Sequence, residues 1–280
     1  MFKILEREEL NPTVTKLVIE APLVAKKAKA GQFIIIRAHE AGERIPLTVA
    51  DYDREKGTVT IIFQIVGKTT AILNNLRVGD EVLDFVGPLG VASHVEGMKK
   101  VCVVGGGVGC AIAYPVAKAL HENGAEVTTI TGFRSTDLVI LENEFKQVSD
   151  QFYLISDDGS TGRKGTVTDV LQELLDAGEE YEEVIAIGPL VMMKFVCLLT
   201  KKYNVKTIVS MNPLMIDGTG MCGCCRLSVG GEMKFACVDG PDFDGHLVDF
   251  DEAMARSRQY SKFEAKARDE DCNLFHKEVA

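Results

Sequence analysis

Residues 99–124 read KKVCVVGGGVGCAIAYPVAKALHENG. An apolar run, Val101–Val104, leads into three glycines, and a helix-forming stretch from Cys110 ends on Gly124. An apolar run without alternation suits a strand buried on both faces, as in a parallel sheet covered by helices. A glycine just past the last helical turn is a common stop. The segment approaches the ~20 residues that cross a bilayer, but four glycines and a proline interrupt Val101–Leu120, so a strand, turn and helix is the better reading.

The same rhythm repeats downstream. Strands are expected at EVTTITGF, QFYLIS, EEVIAIG and KTIVSM, and helices at DLVILENEFKQV, TVTDVLQELLDAG and LVMMKFVCLLTKKY. Alternating strands and helices imply an α/β domain, here over residues 98–211. Before it, TVTKLVIEA, GQFIIIRA, RIPLTVADY, GTVTIIFQIV and DEVLDFVGPLG are short runs rich in Val, Ile, Thr and Phe, separated by turn residues. They suggest a small antiparallel β-barrel over residues 1–97, with one short helix at Thr70–Leu76. A glycine- and cysteine-rich segment follows over 212–250, then a charged, helix-prone extension over 251–280. The fold class expected is a β-barrel plus an α/β domain, with a C-terminal cysteine loop.

The chain has 280 residues, 46% of them apolar, with net charge −10. That excludes a disordered chain and argues against nucleic acid or an anionic membrane as partner. The start, MFKILEREEL, turns charged too soon for a signal peptide, so a cytoplasmic protein is expected. Eight cysteines in such a chain are not a disulfide framework. Cys102 and Cys197 lie in apolar runs and read as small buried hydrophobes; Cys110 and Cys272 also stand in ordinary segments.

The turn VVGGGVG, between strand and helix, is where parallel sheets bind phosphates with the free N–H groups of a helix start. Gly105, Gly106, Gly107 and Gly109 are therefore candidate nucleotide contacts. The Rossmann fingerprint itself is absent, because Cys110 or Ile112 takes the place of its last glycine. The next strand ends in TGFRS, without the acid that would hold a ribose. IGPLVMMK (187–194) puts Gly188-Pro189 at a later strand end, and SDDGSTGRKG (156–165) forms a polar loop at another. Three loops on one sheet edge would line one crevice.

In DGTGMCGCC (217–225) and Cys237 the spacing is Asp217-x4-Cys222-x2-Cys225-x11-Cys237. Plant-type [2Fe–2S] loops use C-x4-C-x2-C and a distant fourth cysteine, so the pattern fits if Asp217 takes the first place. Gly218, Gly220 and Gly223 would then supply the positive φ of a loop wrapped on a cluster, with Cys224 a bystander. A zinc site on a non-enzymatic binding module and a redox CxxC pair are the alternatives. The first lacks a second pair, with His246 the only histidine near; the second lacks its usual helix start.

Together these pieces resemble the ferredoxin-reductase-like electron-transfer subunits. The resemblance is greatest to the branch of small subunits of NADH-dependent ferredoxin:NADP oxidoreductases (electron-bifurcating transhydrogenases, also described as sulfide dehydrogenase subunits). The electron-transfer subunits of dihydroorotate dehydrogenase are a related branch. It covers residues 1–250, and an aspartate in the first ligand place is a mark of the transhydrogenase branch. It implies FAD between barrel and α/β domain. The flavin motif would be RIPLTVAD: Arg44 at the pyrophosphate, Pro46 and Leu47 beside the flavin, Thr48 near its N5. Ile45 intervenes where many relatives have Arg-Pro. The second phosphate motif would be VGKTTAIL, with Gly67, Lys68, Thr69 and Thr70. The resemblance also puts NAD(H) on Gly105–Gly109 and Gly188-Pro189, with Arg134 a candidate for a 2′-phosphate, for a ribose alone, or for no contact. Ile187 stands where many relatives have cysteine. It further implies a heterodimer with a larger flavin and iron–sulfur subunit, ferredoxin served indirectly, and no general base. A dihydroorotate dehydrogenase or a sulfide/sulfur reductase would be the alternative partner enzyme.

Overall fold

The computed structural model describes residues 1–263. The first part contains β1 (Phe2–Asn11), β2 (Val14–Glu20), α1 (Pro22–Ala25), β3 (Phe33–Arg37), β4 (Ile45–Thr48), β5 (Asp51–Asp53), β6 (Thr58–Gln64), α2 (Lys68–Asn75), β7 (Glu81–Val82) and β8 (Asp84–Leu89). These strands form two antiparallel sheets, ordered β5-β6-β2-β1-β7 and β4-β3-β8. Both turn apolar side chains into one core: Ile4, Leu17, Ile19 and Ile61 from the first, Ile34, Ile36 and Phe85 from the second. The barrel expected from sequence is thus two antiparallel sheets around a shared core. RIPLTVADY is where the chain changes sheet. Val49 N donates to Gln32 O and the next amide, Ala50 N, to Thr60 O, so one strand becomes two. β1 was hidden in MFKILEREEL because Ile4 is its one buried residue, too little for a period-two signal.

The second part adds β9 (Lys100–Gly106), α3 (Cys110–Glu122), β10 (Glu126–Phe133), α4 (Glu142–Gln147), β11 (Gln151–Ser156), α5 (Val167–Asp176), β12 (Glu183–Ile187), α6 (Leu190–Lys202) and β13 (Thr207–Ser210). The hairpin β14 (Arg226–Val229)–β15 (Glu232–Phe235), then β16 (Asp242–Asp244) and α7 (Phe250–Ser257), complete it. One sheet runs β11-β10-β9-β12-β13-β16, parallel except for β16. β9 shows why VCVV does not alternate. Cys102 and Val104 pack with α5 and α6 on one face, Val101 and Val103 with α3 and α4 on the other. Cys102 and Cys197 are buried, and burial pushes both thiols up, Cys197 to about 12.

DLVILENEFKQV is not one helix. A 3₁₀ turn covers Thr136–Leu138, Val139 and Ile140 run on, and α4 starts after Leu141, which sits at φ 57. Burying Ile140 in the α3–α4 core takes precedence over helix propensity there. Among the described residues no helix is long and apolar enough to cross a membrane. α7 opens the expected C-terminal extension; residues 264–280, with Cys272, lie outside the described residues.

Candidate functional site

The sheet order places β9 beside β12 at its centre, where the chain order reverses and ligands of open α/β sheets bind. Glycines let the two strand ends meet. A Cβ on Gly109 would lie 2.6 Å from Ile187 O, and one on Gly106 would lie 2.4 Å from Met192 Sδ. Gly188 is similarly enclosed, with Gly106 O 3.1 Å from its Cβ position, and Gly105 is filled by Cys110. Gly107 differs: its φ is +55 and its Cβ position meets nothing within 4 Å. Of the glycines that line the cleft, it alone has a Cβ position in open space.

That cleft, of about 350 Å³, is lined by Gly106–Gly109, Arg134, Gly188 and Pro189, with Asn11, Thr13 and Gln64 opposite. Arg134 is exposed and its guanidinium has no partner among the described residues. The loop SDDGSTGRKG does not line the cleft, contrary to expectation. It buttresses the Arg134 turn instead: Asp158 N donates to Arg134 O and Thr136 N to Ser160 Oγ. Its hydroxyls and the Asp158 carboxylate are used in closing it, Ser160 Oγ donating to Asp158 Oδ1 at 2.6 Å and Thr161 Oγ1 to Ser156 Oγ at 3.0 Å.

A second cleft, of about 380 Å³, opens between the antiparallel sheets and the α/β part. Ile45, Pro46, Leu47, Thr48, Phe63, Val66, Thr70 and Met215 are among its walls. The two clefts share Gln64, Val108, Ile112, Ser210 and Asn212, so they are one continuous trough. Its apolar end suits a flat ring system; its other end suits phosphates at a glycine turn. The start of α2 flanks it. Thr70 Oγ1 accepts from Val66 N and Gly67 N, and Thr69 Oγ1 donates to Glu43. The Thr70 hydroxyl closes the turn and the Thr69 hydroxyl ties it to Glu43, at a helix start of the kind that receives anions. Arg44 lies outside the trough wall: Nε donates to Ile216 O at 3.0 Å and Nη1 to Asp84 at 3.3 Å. Ser210 and Asn212 were missed in the sequence, although Ser210 ends the last parallel strand and Asn212 follows it, where the strand-end rule points.

The cysteine loop continues from the trough through Met215. Its donors fall into two pairs. Cys222 Sγ is 2.8 Å from Asp217 Oδ1, and Cys225 Sγ is 3.2 Å from Cys237 Sγ. No three His, Cys, Asp or Glu side chains converge on one point among the described residues. Two pairs suit a two-iron cluster, in which each iron takes two protein donors and shares bridging sulfides; a single zinc needs four donors together. Gly218, Gly220 and Gly223 all have positive φ (78, 85 and 67), as a tight wrap requires. The Cys222 thiol, then Thr219, hold Asp217 well below the usual carboxylate range. Burial, then the Cys225 thiol, pushes Cys237 up to about 12. Cys224 Sγ reaches only the Cys222 carbonyl, at 4.0 Å.

Residues 212–249 match the iron–sulfur cluster binding domain of dihydroorotate dehydrogenase B. The chain is 48% identical over 262 residues to a dihydroorotate dehydrogenase B (NAD(+)) electron transfer subunit homolog of Thermotoga maritima, covering 94% of this chain and 92% of the relative. It is 34% identical over 250 residues to the corresponding electron transfer subunit of Streptococcus pneumoniae, covering 86% and 95%. The chain belongs to the dihydroorotate dehydrogenase B electron-transfer subunit family. The chain is also similar to a chain solved in an NADH-dependent reduced ferredoxin–NADP oxidoreductase: TM-score 0.90, 46% identity, 95% of this chain and 97% of that one. A cytochrome P450 reductase from Amycolatopsis (TM-score 0.60, 19% identity, 72% and 65% covered) shares the fold alone. A member of this family is an electron-transfer subunit of a multi-subunit oxidoreductase, and flavin, an iron–sulfur cluster and NAD(H) are its cofactors. The trough and the paired donors fit those groups.

Proposed function

We propose that the chain is the small subunit of a cytoplasmic ferredoxin:NADP transhydrogenase, carrying electrons between NAD(H) and a larger flavin- and iron–sulfur-bearing partner. Residues 1–97 with Pro46–Thr48 and Gly67–Thr70 would hold FAD. Residues 98–211 with Gly105–Gly107, Gly109, Arg134 and Gly188-Pro189 would hold NAD(H). Residues 212–250 with Asp217, Cys222, Cys225 and Cys237 would hold a [2Fe–2S] cluster. The groups together exchange two-electron hydride chemistry for one-electron transfer. The protein's part is positioning: the apolar trough walls orient and dry the ring systems, and the glycine turn and helix starts take the phosphates.

The observation that carries this reading is adjacency: the glycine-turn cleft and the apolar cleft share walls, and Met215, two residues before Asp217, lines the second. The test is the purified complex. It should contain FAD bleached by NADH, iron and acid-labile sulfide in equal amounts, and a larger subunit with its own flavin. A protein with one zinc and no flavin absorbance would sink the proposal. A second reading, a subunit serving dihydroorotate dehydrogenase, draws on the 34% identical relatives of that name. A co-purified partner that oxidises dihydroorotate decides for it.

A further inference from the structure

Asp217 is gripped on both sides by one sheet. On its N-terminal side, Ile216 O accepts from Arg44 Nε at 3.0 Å. On its C-terminal side, Gly218 sits so close to β3 and β8 that a Cβ would lie 2.7 Å from Leu89 Cδ1 and 3.0 Å from Ile35 Cγ1. Arg44 is itself held. Its Nη1 is 3.3 Å from Asp84 Oδ2, and the same oxygen takes Arg37 Nε at 2.6 Å. Arg37 and Asp84 are cross-strand partners in register on β3 and β8. Asp217 completes the arrangement with its own loop. Its Oδ2 accepts from Thr219 Oγ1 at 2.7 Å and Met221 N at 3.0 Å, which leaves Oδ1 toward Cys222.

We propose that Arg44, Asp84 and Arg37 form a strap that fixes the backbone ahead of Asp217, so that the β4-β3-β8 sheet positions this one ligand. The inference rests on Asp217 being a cluster ligand. None of the three strap residues touches the donor atoms; they are positioning residues. The reason for a strap lies in the ligand's chemistry. A thiolate is a soft donor that binds iron strongly and finds its own place. A carboxylate is a harder, weaker match to an iron–sulfide centre and can turn about its Cβ–Cγ bond, so its direction has to come from the protein. The strap also joins the two cofactor regions, since Arg44 stands in the flavin motif while its side chain ends on the cluster loop.

The decisive variant is Asp84→Asn, which releases both arginines without touching the trough, made in the full complex with its partner. Arg44→Lys is the companion: it keeps the charge but loses the Nε donor to Ile216. The readouts are iron and sulfide content, the EPR g-values and midpoint potential of the cluster, and the rate at which a chelator bleaches it. Flavin content is measured on the same samples. Each variant should bleach about tenfold faster than wild type with shifted g-values, the size usual for loss of an outer-shell partner. On an Asp217→Cys background the Asp84→Asn effect should shrink to within about twofold, because strap and aspartate act as a coupled pair. A variant that loads iron only on the Asp217→Cys background is the same result in extreme form. Unchanged bleaching and g-values in Asp84→Asn, or an equal effect on both backgrounds, overturns the strap alone. A wild-type complex without iron overturns the cluster reading and the strap with it.

Discussion

At the scale of single residues, Asp217 and Asp242 are the two acids whose surroundings have chemical consequences. Asp217→Cys should keep the cluster and move its potential, because a thiolate donates more electron density than a carboxylate; redox titration followed by EPR measures it. Cys224→Ser should leave both iron content and potential unchanged. Asp242 has a different environment. Its Oδ2 accepts from Ser93 Oγ at 2.5 Å, while Oδ1 is sealed from solvent without a partner. Burial raises its pKa, Glu183 adds to the rise, and the Ser93 and Ser210 hydroxyls oppose it. A carboxyl raised in the folded state keeps a proton that the unfolded chain gives up near pH 4. Its ionisation therefore lowers stability as pH rises through the folded-state value. Asp242→Asn, which retains an acceptor for Ser93, should melt above wild type at neutral and alkaline pH, and the gap should close as the pH approaches about 4. Thermal unfolding across that range reads it; a gap independent of pH contradicts it. The donor spacing Asp217-x4-Cys222-x2-Cys225 was legible in the sequence because loop ligands have short fixed offsets. Asp242 was not, because nothing local shows that a strand acid will be enclosed by Ser93 and Ser210.

At the scale of elements, the β9–α3 turn separates glycines that pack from the glycine that opens. Gly109→Ala forces a methyl against Ile187 O at 2.6 Å, so it should destabilise the protein by about 1–3 kcal/mol, an overpacking cost. Gly107→Ala meets no atom within 4 Å but must hold φ +55. It should cost only about 1–2 kcal/mol while weakening NADH binding, because the new methyl enters the cleft. Denaturant melts and NADH titration of the two variants tell the effects apart; matched losses of stability and affinity in both would refute the distinction. GGGVG announced the turn but not this division of labour, which depends on Ile187 and Met192 arriving from β12 and α6. Likewise VCVV revealed β9 because it is covered on both faces. β1 escaped notice because only one of its residues is covered, and the split of DLVILENEFKQV because Leu141 takes a left-handed conformation that leucine rarely adopts.

At the scale of the molecule, the trough lies between the antiparallel sheets and the α/β part, and direct polar ties besides Ser93–Asp242 and Arg44–Ile216 join those parts. Lys118 Nζ meets Asp51 at 2.9 Å and Asn11 Nδ2 donates to Leu138 O at 3.1 Å. The Lys118–Asp51 pair is partly exposed, so Lys118→Ala should cost no more than about 1 kcal/mol. A group bound in the trough spans both parts and stabilises the whole by mass action. FAD at a hundred times its dissociation constant should add about 2.7 kcal/mol and raise the midpoint by several degrees. Calorimetry of flavin-free and flavin-saturated protein checks this; a midpoint insensitive to FAD would place the flavin elsewhere. The broad two-part architecture was readable from the switch between short β runs and strand–helix alternation. The trough was not, because its walls come from segments distant in sequence and only the assembled topology sets Gln64 against Ser210.

The cysteine loop departs from the sheet after Ser210 and returns at Asp242, directly opposite it, where Met211 N donates to Pro241 O. Its ends are therefore sewn together by the strand pair that β16 makes with β13. The stem closes residues 212–241 into a loop, at an entropy cost that grows only slowly with loop length, and the Arg44–Ile216 bond gives the loop a second tether. The stem also gives the parallel sheet a finished border, because without the returning strand β13 would present unpaired edge groups open to adhesion by another chain. One short antiparallel strand thus serves as both clasp for the cysteine loop and selvedge for the nucleotide sheet.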